Sequence, residues 1–278
     1  QSVAAVFLST VFPGLLLAGG YMALNTFLVG RYMQPAQEAD VLPTDFKGYV
    51  REASGATWSA LPALGCPLVV LGGIYGGIFT PNEAGAIAVV YTIAVGVFFY
   101  RELTKARFAF SLRTTIGTLG MITLLLGFGT VFTRLMIREG VAQALAGGML
   151  GLFSEPWQVL LMMNLLLLIL GMFIDGIPIL IVAVPLILPL VSHLGVNMVQ
   201  LGAIVVVNIG LGVVTPPYAV SIFVGSRLGQ VPYGDLVRPM LYFLLVVGLP
   251  VLLLTTFVPW LSLWLPTLAV GSNIVGAW

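Results

Sequence analysis

Residues 156–193 form one apolar stretch, broken only by Asp175-Gly176-Ile177-Pro178. Each half comes close to the ~20 apolar residues that an α-helix needs to cross a bilayer. A run of this length has no place on a water-facing surface. It specifies either two membrane spans joined by a turn, or a re-entrant hairpin that dips into the bilayer and returns. The rest of the chain agrees: 59% of the residues are hydrophobic and 8% are charged, with a mean hydropathy of +1.10. Soluble domains carry about 25% charged residues, so lipid must be the solvent for most of this chain. A net charge of +1 provides no long-range field for nucleic acid. Cys66 is the single cysteine, so no intramolecular disulfide can form, and it reads as a packed membrane cysteine.

The remaining spans follow from the same pattern. Residues 1–30 supply the first. Residues 31–57 collect Arg31, Glu38, Asp40, Asp45, Lys47, Arg51 and Glu52 and read as a polar connector. It ends in an interfacial amphipathic helix around Phe46, Tyr49 and Val50. Residues 58–155 hold further apolar helices. They are split at Thr80-Pro81-Asn82-Glu83, where threonine suits an N-cap and proline a first helical position. The basic loop with Arg101, Lys105, Arg107 and Arg113 marks a cytoplasmic side. Residues 31–57 and 227–238 then fall on that side too. Residues 156–230 contain the apolar stretch and a second interrupted segment, 197–229. Residues 236–278 carry the last span, expected over 240–265, and a tail. The chain opens at Gln1 directly into an apolar run with no signal-peptide pattern, which suggests a piece of a longer precursor.

Three places combine polarity with backbone irregularity. Asp175 is an acid inside an apolar run. Such a group costs roughly 2.5–3.5 kcal/mol to insert and commonly marks an ion or substrate path; the plainer reading is an acid at an outer turn. Asn208-Ile209-Gly210-Leu211-Gly212-Val213-Val214-Thr215-Pro216-Pro217 is the second. Two consecutive prolines remove two backbone donors, glycines let the backbone unwind, and broken helices of this kind hold ions in transporters; the alternative is a proline kink with no ligand. The third is Gly72-Gly73-Ile74-Tyr75-Gly76-Gly77-Ile78-Phe79-Thr80-Pro81-Asn82-Glu83. There Glu83 reads either as a first-turn acid favoured by the helix dipole or as a residue near an ion site. His193 has no companion ligands for a zinc site and reads as interfacial. Phe257, Trp260 and Trp264 read as an aromatic belt. No phosphate-binding loop or nucleophile elbow is present.

Together these segments resemble the large membrane subunit of the tripartite ATP-independent periplasmic transporters. The resemblance rests on 72–84, Tyr100-Arg101-Glu102-Leu103, Asn164-Leu165-Leu166-Leu167-Leu168, 208–217 and Leu261-Ser262-Leu263-Trp264-Leu265-Pro266, and runs over essentially the whole chain. It implies an all-α polytopic membrane protein with a re-entrant helical hairpin and a broken, unwound transmembrane helix. This chain would be the second half of an inverted-repeat, elevator-type transporter. Residues 1–30 would be the last helix of a first repeat, since 7–17 with Pro13 resembles 252–263 with Pro259. The hairpin (156–193) would carry its tip at Asp175, Gly176, Ile177 and Pro178. Gly210, Gly212, Val213, Thr215 and Pro216 would form the unwound helix, with Asn208 as a neighbour. Sodium would be held by Gly210, Val213 and Thr215, with Thr80, Pro81, Asn82 and Glu83 nearby. No cofactor is implied beyond sodium as coupling ion, and no enzymatic activity. The implied partners are a small membrane subunit, a periplasmic substrate-binding protein, the lipid bilayer and a small organic anion such as a C4-dicarboxylate or sialic acid. The implied location is the bacterial inner membrane. A sodium/carboxylate symporter that needs no binding protein is the alternative, and an ATP-driven permease a weaker one.

Overall fold

The computed structural model describes residues 2–32, 46–152, 155–174, 176–217 and 219–276. Among them there is helix and no strand. The helices are α1 (Val3–Ser9), α2 (Val11–Tyr32), α3 (Phe46–Tyr75), α4 (Pro81–Ala94), α5 (Lys105–Arg138), α6 (Val141–Leu152) and α7 (Pro156–Phe173). They continue as α8 (Gly176–His193), α9 (Met198–Gly212), α10 (Val220–Gly229), α11 (Tyr233–Phe243), α12 (Leu249–Phe257), α13 (Pro259–Val270) and α14 (Ser272–Val275). Six helical stretches among the described residues are long and apolar enough to cross a membrane: Val3–Leu28, Ala53–Tyr75, Pro81–Phe99, Lys105–Arg138, Pro156–Phe173 and Tyr233–Phe257. The chain divides into two compact units, Met33–Gly120 and Gln1–Tyr32 with Met121–Trp278.

In the Met33–Gly120 unit, α3 and α4 pack side by side. Pro62 and Pro67 lie inside α3 and each removes a backbone donor from the ladder. In that stretch the carbonyls of Ser59 and Pro62 accept the Tyr100 and Tyr91 hydroxyls, both at 2.8 Å. A π-helical turn, Val95–Phe99, ends α4. Gly96 O then accepts both Glu102 N and Leu103 N, and Arg101 takes a left-handed φ of 52°. The segment around Phe46 and Val50, expected as a separate interfacial helix, is the first part of α3 and runs on into the span.

In the other unit α9 is central. Val199, Gln200, Leu201, Ala203, Ile204, Val205, Val207, Asn208, Leu211 and Gly212 are all buried, so α9 presents almost no free face. Leu160, Met163 and Leu167 of α7, Ile179, Ala183, Ile187 and Val191 of α8, and Leu201, Ile204 and Val205 of α9 make one core. Val207 and Leu211 pack with Leu244 and Leu252 on another side. Ala5, Val199, Leu263 and Val275 close the N-terminal end of α9.

The last span differs from the single helix expected over 240–265. It begins at Tyr233, passes through a π-helical turn at Leu244–Gly248, and breaks at Val258. Proline at 259 cannot donate to Thr255 O, so the last carbonyls of α12 lack their usual partners. Gln200 Nε2 supplies one, at 3.3 Å from Thr255 O and 2.9 Å from Thr256 O. The first span breaks comparably: α1 stops at Thr10, before the buried Pro13. Phe12 stacks on Trp260 with ring centroids 6.2 Å apart.

Candidate functional site

The hairpin and the interrupted helix meet. α7 and α8 are joined through Ile174 and Asp175; Ile174 is extended, and Asp175 lies outside the described residues. At 18 residues each, the two arms are about 27 Å long. α9, at 15 residues, is about 22 Å long, short of the ~30 Å hydrocarbon core, and it stops at Gly212.

Two glycines decide how closely the elements approach. A Cβ added to Gly171 would sit 2.8 Å from Gly212 Cα, and one added to Gly212 would sit 2.6 Å from Gly171 Cα. The two backbones therefore touch at the ends of α7 and α9, a contact that no other residue pair permits. At the hairpin tip, a Cβ on Gly176 would lie 2.7 Å from Ile209 Cγ2. Ile177 is exposed and Pro178 half-buried on the first turn of α8. Two helix C-termini thus converge, and each carries carbonyls without intrahelical donors and the negative end of a helix dipole. The N-terminus of α8 lies beside them with the opposite sign.

Beyond Gly212 the chain is irregular. Val213 N bonds Ile209 O at 3.1 Å and Thr215 N bonds Gly212 O at 2.9 Å. Ser221 N reaches back to Val213 O at 3.3 Å. Thr215 is buried, and its hydroxyl donates to Leu211 O. Since it donates its proton there, Thr215 Oγ1 keeps its lone pairs available to a cation. The Pro216-Pro217 peptide is cis, and Pro217 O accepts the Tyr233 hydroxyl at 2.7 Å. Tyr233 stacks on Phe223 at 4.4 Å. Gly210 has open space where a side chain would stand. An apolar cavity of about 330 Å³ adjoins the break, lined by Tyr21, Val214, Met240, Phe243 and Leu244. Among these described lining residues the Tyr21 hydroxyl is the only polar side-chain group.

Of the residues singled out in the sequence, Gly176, Ile177, Pro178, Asn208, Gly210, Gly212, Val213, Thr215 and Pro216 belong to this one unit. Thr80, Pro81, Asn82 and Glu83 belong to the other. There the Glu83 carboxylate accepts from Thr80 N and Thr80 Oγ1, both at 2.8 Å, and Glu83 N donates to Thr80 Oγ1 at 3.4 Å. This reciprocal cap accounts for both side chains at the start of α4. Sequence reading gave no site role to Gly171, nor to Asn164, Gln200 and Thr256, whose amides and hydroxyl are buried in the apolar packing. The available signal was that Asn164 and Gln200 are isolated polar residues inside apolar helices.

With this geometry in view, residues 1–261 match the family described as "Tripartite ATP-independent periplasmic transporter, DctM component". The chain belongs to this family. It is 36% identical over 258 residues to the isethionate TRAP transporter permease protein DctMQ of Oleidesulfovibrio alaskensis, covering 93% of this chain and 39% of that protein. It is 34% identical over 272 residues to the sialic acid TRAP transporter large permease protein SiaM of Vibrio cholerae, covering 97% and 61%. It is 32% identical over 294 residues to the C4-dicarboxylate TRAP transporter large permease protein DctM of the same organism, covering 99% and 63%. The chain thus spans less than two thirds of the length of these relatives. The family is one of permeases rather than enzymes, and with six candidate spans this is a multi-pass protein of the bacterial inner membrane.

Proposed function

We propose that the full-length protein is the large membrane subunit of a sodium-coupled secondary transporter that imports small organic acids. The observation that carries this reading is the meeting of the hairpin with the end of α9 through Gly171, Gly212 and Gly176. Two helix C-termini at one point favour a cation, and the adjacent N-terminus of α8 favours an anion. Sodium would take oxygen ligands from the carbonyls of Gly210 and Val213 and from Thr215 Oγ1, with Asp175 and Pro216 close by. Sodium bound there would draw the hairpin and the broken helix together. Their dipoles would then be fixed around the acid group of the substrate, so that sodium and substrate raise each other's affinity.

The relatives are named for isethionate, sialic acid and C4-dicarboxylates. A small organic acid is the class these names share, and it suits a site flanked by a helix N-terminus. On this reading a periplasmic binding protein delivers the substrate, a small membrane subunit is the companion, and the hairpin is re-entrant and moves as an elevator; membership of the family supports it. The test is uptake into proteoliposomes holding the full-length subunit and its small partner, with and without a sodium gradient and with and without the binding protein. Uptake that needs both supports the reading. Uptake that needs sodium alone points to a symporter without a binding protein, and uptake indifferent to sodium removes the coupling.

A further inference from the structure

A chain of buried amides lies behind the glycine contact. Asn208 is fully buried and Asn164 is 3% exposed. Asn208 Nδ2 donates to Asn164 Oδ1 at 2.8 Å and to Ile204 O at 3.0 Å. Asn164 Nδ2 donates to Thr256 Oγ1 at 2.8 Å, and Thr256 Oγ1 donates to Leu252 O at 2.8 Å. The bonds run in one direction, from α9 through α7 to α12. One acceptor is left over: Asn208 Oδ1 has no donor among the described residues. Because Asn208 has no exposed surface, lipid or a partner subunit does not reach that oxygen.

An arrangement that leaves a buried oxygen unpaired is not the most stable way to fill this space; three apolar side chains would do better. What the amides add is register. In hydrocarbon, apolar helices slide against one another at little cost, and directional bonds between them fix one alignment. Asn164 stands two helical turns before Gly171, and Asn208 stands one turn before Gly212. The amide pair therefore sets where along α9 the end of α7 comes to rest.

We propose that Asn164 and Asn208 are positioning residues that hold the ends of α7 and α9 in the alignment that sodium requires, with Thr256 extending the same tie to α12. This rests on the sodium reading given above. The residues touch neither ion nor substrate on this account; they act through the Gly171–Gly212 contact.

The test measures the sodium concentration giving half-maximal uptake in proteoliposomes, using the full-length protein with its partners. The variants are Asn164→Leu, Asn208→Leu, the double variant and Gln200→Leu. Each single substitution leaves one amide facing an apolar neighbour, so sodium half-saturation should rise on the order of tenfold, with KM for substrate at saturating sodium nearly unchanged. The double variant leaves no amide stranded, since the Thr256 hydroxyl keeps its bond to Leu252. It should fold better than either single variant and still need more sodium than the wild type. Gln200→Leu removes a tie between α9 and α12 far from the glycines, and should lower thermal stability without moving sodium half-saturation. Wild-type half-saturation in the double variant overturns the proposal, as does an equal shift in Gln200→Leu. If the single variants fail to fold, the double variant alone decides. A wild type indifferent to sodium overturns the sodium reading itself, which separates the two failures.

Discussion

Two segments of this chain share a sequence pattern and differ in structural role. Both 72–83 and 208–217 combine glycines with a Thr-Pro pair and interrupt an apolar helix. The first break closes on itself. Gly76 N bonds Gly72 O, Ile78 N bonds Gly73 O, Gly77 takes a φ of 68°, and Thr80 caps α4 with Glu83. Every partner is within a few residues. The second break also bonds near neighbours, Val213 N to Ile209 O and Thr215 N to Gly212 O, but distant elements meet it as well: Gly171 and Gly176 press on α9, and Tyr233 holds Pro217 O. A Gly/Pro interruption is thus only a point where the ladder stops. What it is for depends on whether distant elements also close on it.

Substitutions at the two breaks should separate them sharply. The largest effect is expected at Gly212→Ala and Gly171→Ala, where the added carbon would strike backbone. The backbones must part, at a cost near the upper end of the 1–3 kcal/mol typical of overpacking, and sodium-driven uptake should be lost. Gly72→Ala, which has nothing within 4 Å of its new carbon, should leave uptake intact. Equal tolerance at both breaks would dissolve the contrast.

Next come Asp175→Ala and Thr215→Ala in the full-length protein. Both should abolish sodium-driven uptake while expression persists, and Thr215→Ser should retain it. Unchanged uptake in both alanine variants would remove these residues from the site.

A smaller effect is expected at the first break. Thr80→Ala removes one half of the capping box and should cost about 1 kcal/mol, seen as a lower melting temperature with sodium half-saturation unmoved. A shift in sodium dependence there would place 80–83 near the ion site. The smallest is Tyr233→Phe, which keeps the stacking on Phe223 and loses one hydrogen bond, about 1 kcal/mol or less. It should loosen the second break enough to speed hydrogen exchange around 217–221 without abolishing uptake.

Much of the molecule was legible in its sequence. The apolar runs, the cap at Thr80, the break between α7 and α8 and the end of α9 near Gly212 all follow from residues close together in the chain. Where the reading fell short, a local rule met a longer-range one. The final span was expected as one helix, but Pro259 breaks the ladder, and Gln200 makes that break tolerable by bonding the stranded carbonyls. Glu83 could be read as a cap or as a residue near an ion site; its hydrogen bonds to Thr80 form the cap, and the sodium dependence of Thr80→Ala tests the other reading. Asn164 was visible as a polar residue among leucines, yet nothing beside it in the chain names its partners.

The sequence by itself determined that this chain lives in lipid, that it is helical, and where several of its helices are capped or interrupted. These are consequences of hydropathy, period and capping, which a handful of neighbouring residues decide. Only the tertiary structure decided which glycines are indispensable and which amides pair. Asn208 meets Asn164 across 44 positions and Asn164 meets Thr256 across 92. Whether a missing Cβ makes room for another backbone is a property of the approach of two helices, and neither helix carries it alone.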